Sequence, residues 1–146
     1  MARILTVDDQ LHMTCVMARW LGRQGHTVVR AENGKVALEL LRAEPIDILV
    51  TDVDMPEMDG LTLAGHSDVG QQLRAVILVT GRPDYKELRV RCRAEVHVLP
   101  KPFSPDRLTH LIGEILQRES PQDGRRTRRL KAAHDSPGSL CLAAAT

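Results

Sequence analysis

Apolar residues along this chain follow two rhythms that take turns. Short apolar runs near residues 3–7, 26–30, 46–51, 75–79 and 96–99 predict β-strands, and each is followed by a stretch of helical or helix-compatible period. That alternation predicts a βα unit repeated five times, hence an α/β domain built on a parallel sheet. Ile46, Ile48, Leu49 and Val50 show no apolar/polar alternation, so this strand is expected to be buried on both faces. The last helix is the most sharply marked: Ser104 as N-cap, Pro105 at the first helical position, and Leu108, Leu111, Ile112 and Ile115 on one stripe. In the second helix Ala37, Leu40 and Leu41 are expected to face inward. Residues 61–74 are the weakest stretch, because Gly65 and Gly70 each lower helix propensity by about 1 kcal/mol. A short or irregular third helix is expected there.

Composition changes the picture at one place. Residues 1–119 carry 15 Lys+Arg against 17 Asp+Glu, whereas residues 120–146 carry 5 against 2 and contain Pro121, Gly124, Pro137 and Gly138 with no long apolar period. The expectation is one folded domain over 1–119 and a disordered basic tail over 120–146. The run Arg125, Arg126, Arg128, Arg129 and Lys131 could touch nucleic acid or an acidic partner, but with aromatics at only 2% and no recognition helix it reads better as a solvated charge run, and the acidic body is no polyanion binder. Cys15, Cys92 and Cys141 form no CxxC or Cys/His spacing, which suits reduced thiols in a cytoplasmic protein. No 18-residue apolar run occurs, and Asp8-Asp9 follow the first strand too soon for a signal-peptide core, so no membrane partner is expected.

The candidate chemistry lies at the carboxyl ends of the predicted strands, where open α/β sheets bind ligands. Asp52 follows the third strand and opens the loop Val53-Asp54-Met55-Pro56-Glu57-Met58-Asp59-Gly60; Asp8-Asp9 follow the first strand, Thr80 ends the fourth, and Lys101-Pro102 follow the fifth. Three carboxylates and a lysine would then share one pocket, suited to an ionised nucleophile, a divalent cation and neutralisation of phosphoryl oxygens. Taken singly, each residue has a blander reading: Asp8-Asp9 as a solvated strand end or helix cap, Thr80 as a β-former, Lys101 as a surface lysine. Their joint occurrence at successive strand ends favours the functional reading. His12, His26, His66, His97, His110 and His134 have no ligand spacing and are read as surface or half-buried residues.

These four separated motifs resemble the receiver domain of two-component response regulators over about residues 1–118. The resemblance implies a doubly wound five-stranded parallel sheet of flavodoxin-like order 2-1-3-4-5 with helices on both faces. It implies Asp52 as phosphoacceptor, Thr80 as switch hydroxyl, Lys101 as the lysine before a cis proline, Pro102, and Mg2+ held by Asp9, Asp52 and the backbone carbonyl of Asp54, with Asp8 acting mainly through water. Asp54, Gly81 and Arg82 are implied as modulators flanking the path of the hydrolytic water. The partners implied are a sensor histidine kinase or histidine phosphotransfer protein and a downstream protein target, with no enzymatic turnover beyond the domain's own phosphorylation and dephosphorylation.

Two departures stand out. Receivers usually carry Tyr or Phe three residues before the lysine, and here that position is Val98; His97, one step away, should point to the other face of its strand. The interval from Thr80 to Lys101 is also about one residue short, so the fourth helix or its following turn is expected to be trimmed. Two rival readings remain: a haloacid-dehalogenase-like phosphatase using Asp52-Val53-Asp54 as its DxD motif, and an interaction module that is never phosphorylated. The first is disfavoured because that motif should follow the first strand, and the second by the complete set of acids, hydroxyl and lysine.

Overall fold

The computed structural model describes residues 1–66 and 73–118. The expected tail, residues 120–146, and part of the weak stretch 61–74 lie outside them. Five strands, β1 (Arg3–Val7), β2 (Thr27–Ala31), β3 (Ile48–Asp52), β4 (Ala75–Thr80) and β5 (Glu95–Pro100), pair in parallel in the order β2-β1-β3-β4-β5. Every residue of β3 and β4 is buried, as the apolar runs Ile48-Leu49-Val50 and Ala75-Val76-Ile77-Leu78-Val79 favour, whereas the edge strands β2 and β5 are partly open.

Helices cover both faces. On one, α1 (Leu11–Arg23) and α4 (Pro105–Arg118) bury Met17, Leu21, Leu108, Ile112 and Ile115 against Ile4, Ile48, Val50, Ile77 and Leu99. On the other, α2 (Gly34–Ala43) and α3 (Gly60–Gly65) bury Ala37, Leu38, Leu41, Leu63 and Ala64 against Leu5, Val7, Leu49, Val76 and Leu78. Ser104 caps α4 as expected, its Oγ accepting the Arg107 N–H at 3.2 Å. In α2 the buried leucine beside Leu41 is Leu38, while Leu40, expected inside, is half-buried on the shoulder of the stripe. The third helix is short, six residues, capped by the Asp59 side chain on the Thr62 N–H at 2.8 Å.

The expected fivefold βα repeat fails at the fourth crossover. Between β4 and β5 the chain forms one 3₁₀ turn, Tyr85–Glu87, and then runs without helix to β5. The cause is the local pattern: Leu88, Val90 and Ala94 are buried and Arg89, Arg91 and Arg93 exposed. That period of two cannot bury one face of a helix. The trimming expected from the short Thr80–Lys101 interval therefore goes as far as loss of the α-helix.

Candidate functional site

The site begins with strand register. β1 and β3 are neighbours, with Val7 opposite Thr51, so Asp8 and Asp52 emerge side by side at the carboxyl edge. Asp8 is 2% exposed and Asp52 8%, while Asp9 faces solvent. One ligand oxygen from each of the three lies within 4.8 Å of the others. From the other side, the Lys101 Nζ reaches Asp52 Oδ1 at 3.0 Å. Asp8 is held in place by the Gln10 N–H, which donates to its Oδ1 at 2.9 Å.

Burial pushes the Asp52 carboxyl above the usual carboxylate range, against the hydrogen bond and charge of Lys101, and the charges of Asp54 and Asp9 push the same way as burial. Asp8 is also raised, first by burial, which outweighs the Gln10 N–H; the charge of Asp52 adds to the rise. Ionising this cluster is thus costly unless a cation joins it.

Thr80, fully buried at the end of β4, accepts the Arg82 N–H on its Oγ1 at 3.0 Å, which leaves the hydroxyl hydrogen out of that bond. Its carbonyl accepts the Lys101 N–H at 2.7 Å, so hydroxyl and lysine are tied through the backbone of β4 and β5. The Lys101–Pro102 peptide bond is cis, as expected. Asp54 does not join the acid trio with its carboxylate: Arg82 Nη2 donates to Asp54 Oδ1 at 2.6 Å, and Nε donates to Oδ1 and Oδ2 at 3.1 and 3.2 Å. Gly81, exposed between Thr80 and Arg82, lies near Lys101, whose Cβ would stand 4.0 Å from a β-carbon added there.

The loop after Asp52 is held by contacts that sequence reasoning missed. A β-carbon at Gly60 would stand 2.3 Å from the Asp52 carbonyl oxygen, and one at Gly34 would stand 2.8 Å from Met58 Cβ. Both positions require glycine for close approach. Glu57, in the left-handed region at φ 68°, pairs with Lys35 at 3.2 Å and ties the loop to the start of α2. Asn33-Gly34 could be read as a helix start, but nothing local announces its contact with Met58. Likewise unannounced are the edge-to-face contact of Trp20, on α1, with Phe103 beyond the lysine (centroids 6.2 Å apart, planes at 85°) and the buried Glu95 carboxylate. Glu95 Oε2 lies 2.9 Å from His97 Nε2 and accepts from Arg118 Nη1 at 2.7 Å. His97 therefore points away from Val98, which packs against the α2/α3 side.

Comparison with known proteins bears on the same residues. The family model described as the response regulator receiver domain matches residues 4–113. The response regulator receiver protein CpdR of Brucella abortus is 34% identical over 122 residues, covering 79% of this chain and 94% of CpdR. Response regulator MprA of Mycolicibacterium vanbaalenii is 33% identical over 129 residues, covering 84% of this chain and 53% of MprA. Two further relatives are covered over only 29% of their length, so the chain spans about half or less of these longer regulators. Among solved structures, response regulator protein TrrA of Thermotoga maritima, in complex with Mg2+ and BeF, superposes with a TM-score of 0.69 at 27% identity, covering 79% of this chain and 99% of TrrA.

Proposed function

This chain belongs to the response regulator receiver domain family, and from that membership we propose that Asp52 is the phosphoacceptor, taking its phosphoryl group from the phosphohistidine of a sensor histidine kinase or a histidine phosphotransfer protein. The observation that carries the assignment is the position of Asp52 between an acidic pair and a lysine: two carboxylates on one side and Lys101 Nζ at 3.0 Å on the other. An Asp52 carboxylate oxygen forms a bond to phosphorus as the P–N bond breaks, and the electron pair leaves with the donor imidazole. Lys101 gives up its contact with Asp52 and pairs with a phosphoryl oxygen; the Thr80 hydroxyl donates to another. Both are preset rather than recruited, since Lys101 and Thr80 share a backbone hydrogen bond.

Mg2+ suits the donor set, which consists of hard carboxylate oxygens grouped within 4.8 Å, with ligands from Asp8, Asp9 and Asp52 and the Asp54 backbone carbonyl. When bound, it neutralises the oxygens that gain charge during transfer. By family resemblance the Asp54–Arg82 pair, with Gly81 beside it, flanks the path of an in-line water and hinders it, which sets the lifetime of the acyl phosphate. Phosphorylation changes affinity for a downstream protein, and the setting is the cytoplasm; among the described residues no helix is long and apolar enough to cross a membrane. The phosphatase reading finds no support, since its DxD motif closes the third strand instead of the first and its second acid is engaged by Arg82.

Treatment with a small phosphodonor and Mg2+, followed by mass spectrometry, tests the assignment. An acid-labile phosphoryl group should appear on Asp52 and vanish in Asp52→Asn; a group found elsewhere overturns it. Mg2+ at millimolar concentration should raise the melting temperature of the wild type and not of Asp9→Ala, because binding relieves repulsion among the acids. A wild type indifferent to Mg2+ removes the metal from the scheme.

A further inference from the structure

The crossover from β4 to β5 carries a charged surface that the acceptor site does not use. Leu88, Val90 and Ala94 are buried in the α2/α3-side core, with Cys92 half-buried among them, and they fix the backbone from beneath. Arg89, Arg91 and Arg93 occupy the alternate positions and are exposed, as is Lys86 just upstream. Their alternation with the buried residues puts them on the outer side of a segment that carries no helix and bends at Arg93-Ala94 before β5. Residues 86–93 hold four cations and a single acid, Glu87, in a body whose residues 1–119 carry more acids than bases. Among the described residues, the ion pairs leave Lys86, Arg91 and Arg93 without a carboxylate, while the Arg89 guanidinium donates to the Leu88 carbonyl at 2.9 Å.

We propose that this row is a docking strip for an extended acidic segment of a partner protein, one with carboxylates at alternate positions. The match is one of charge and alternation. An extended peptide presents every second side chain on one face, as the crossover exposes every second residue from 89 to 93, and each guanidinium fork accommodates a carboxylate. The chain's own residues 120–146 are the wrong sign to occupy it. A nucleic acid fits less well, since Tyr85 is the only aromatic of the crossover and the surrounding domain is net acidic. The proposal rests on the reading that output is by protein contact, and not on phosphorylation of Asp52.

Fluorescence anisotropy on the full chain, with a labelled peptide of alternating Glu and Ser in about 0.15 M salt, is the test. Replacing Arg89, Arg91 and Arg93 together by Gln should weaken binding by at least about tenfold, the combined scale of three exposed charge pairs. Arg91→Glu alone, a smaller perturbation, should weaken it severalfold. A peptide of equal composition with its Glu residues in one block should bind severalfold more weakly than the alternating one. Phosphorylation of Asp52 should proceed at the parent rate in both variants, so a failure of the acceptor reading registers separately. Gln at Arg125, Arg126, Arg128 and Arg129 should leave binding intact. Equal affinity of the parent and the triple variant, indifference to peptide pattern, loss of binding in the tail variant, or tighter binding to a random DNA duplex than to the alternating peptide overturns the proposal.

Discussion

The carboxyl ends of β1 and β3 and the crossover from β4 to β5 lie on one sheet yet obey different constraints. At the first, Asp8, Asp9, Asp52 and Lys101 converge within hydrogen-bonding or ligand-sharing reach, on strands whose register leaves little freedom. At the second, an α-helix is replaced by one 3₁₀ turn and an alternating segment, and Val98 stands where an aromatic ring is usual in receivers. Phosphoryl transfer tolerates little displacement of its charged groups. A surface that is only read by another protein needs shape and charge, and several backbones can supply those. On the proposed reading, the contrast separates the chemistry of this domain from its readout.

The sharpest way to break that contrast is at Lys101. Lys101→Ala should slow phosphorylation of Asp52 by about 100-fold, the scale of removing one preset donor from developing charge, and should lower the melting temperature because the buried Asp52 carboxylate loses its counter-charge. A rate within threefold of wild type would place the neutralising charge elsewhere. Leu88→Ala attacks the other region. It empties a buried position beneath the crossover and should cost about 2–4 kcal/mol in urea denaturation, yet leave the phosphorylation rate per folded molecule unchanged. If the rate collapses with stability, the two regions are not separable.

Arg82 sits between the regions, bonded to Thr80 by its backbone and to Asp54 by its side chain. Arg82→Ala should speed loss of phosphate severalfold with little change in melting temperature, because the ion pair is exposed. Release rates on Arg82→Ala, Asp54→Ala and the double mutant decide it: additive effects, or slower release from Arg82→Ala, sink the gate. The smallest effect belongs to Val98. Val98→Ala should alter affinity for a state-sensitive partner by less than roughly 2 kcal/mol, the threshold of a binding hot spot. A larger loss would make position 98 central to the readout despite its missing ring.

What the sequence announced and what it withheld divide along physical lines. Strand ends, caps and buried strands are local statements: Asp52 after an unbroken apolar run, Ser104 before Pro105 and the Leu108–Ile112–Ile115 stripe each carry their meaning within a few residues. The parallel order follows from the βα alternation together with the family resemblance. Contacts between distant segments do not announce themselves. Gly34 against Met58, Lys35 with Glu57, and Glu95 between His97 and Arg118 depend on how three elements meet. The crossover is a different case. Its period of two was visible between Leu88 and Ala94, but the expectation of a repeating helix overrode it.

The edge-to-face contact between Trp20 and Phe103 gives the molecule a built-in optical probe. Trp20 is the only tryptophan in the chain, so ultraviolet emission excited at long wavelength comes from a single, half-buried indole. Its neighbour Phe103 stands two residues beyond Lys101, which in the proposed scheme changes partners when Asp52 is phosphorylated. Any displacement of that loop is registered at an aromatic ring already in contact with the emitter. The chain can therefore be followed in a stopped-flow fluorimeter without a dye, a tag or an engineered residue, and Phe103→Leu is the control that should silence the signal while leaving the chemistry in place.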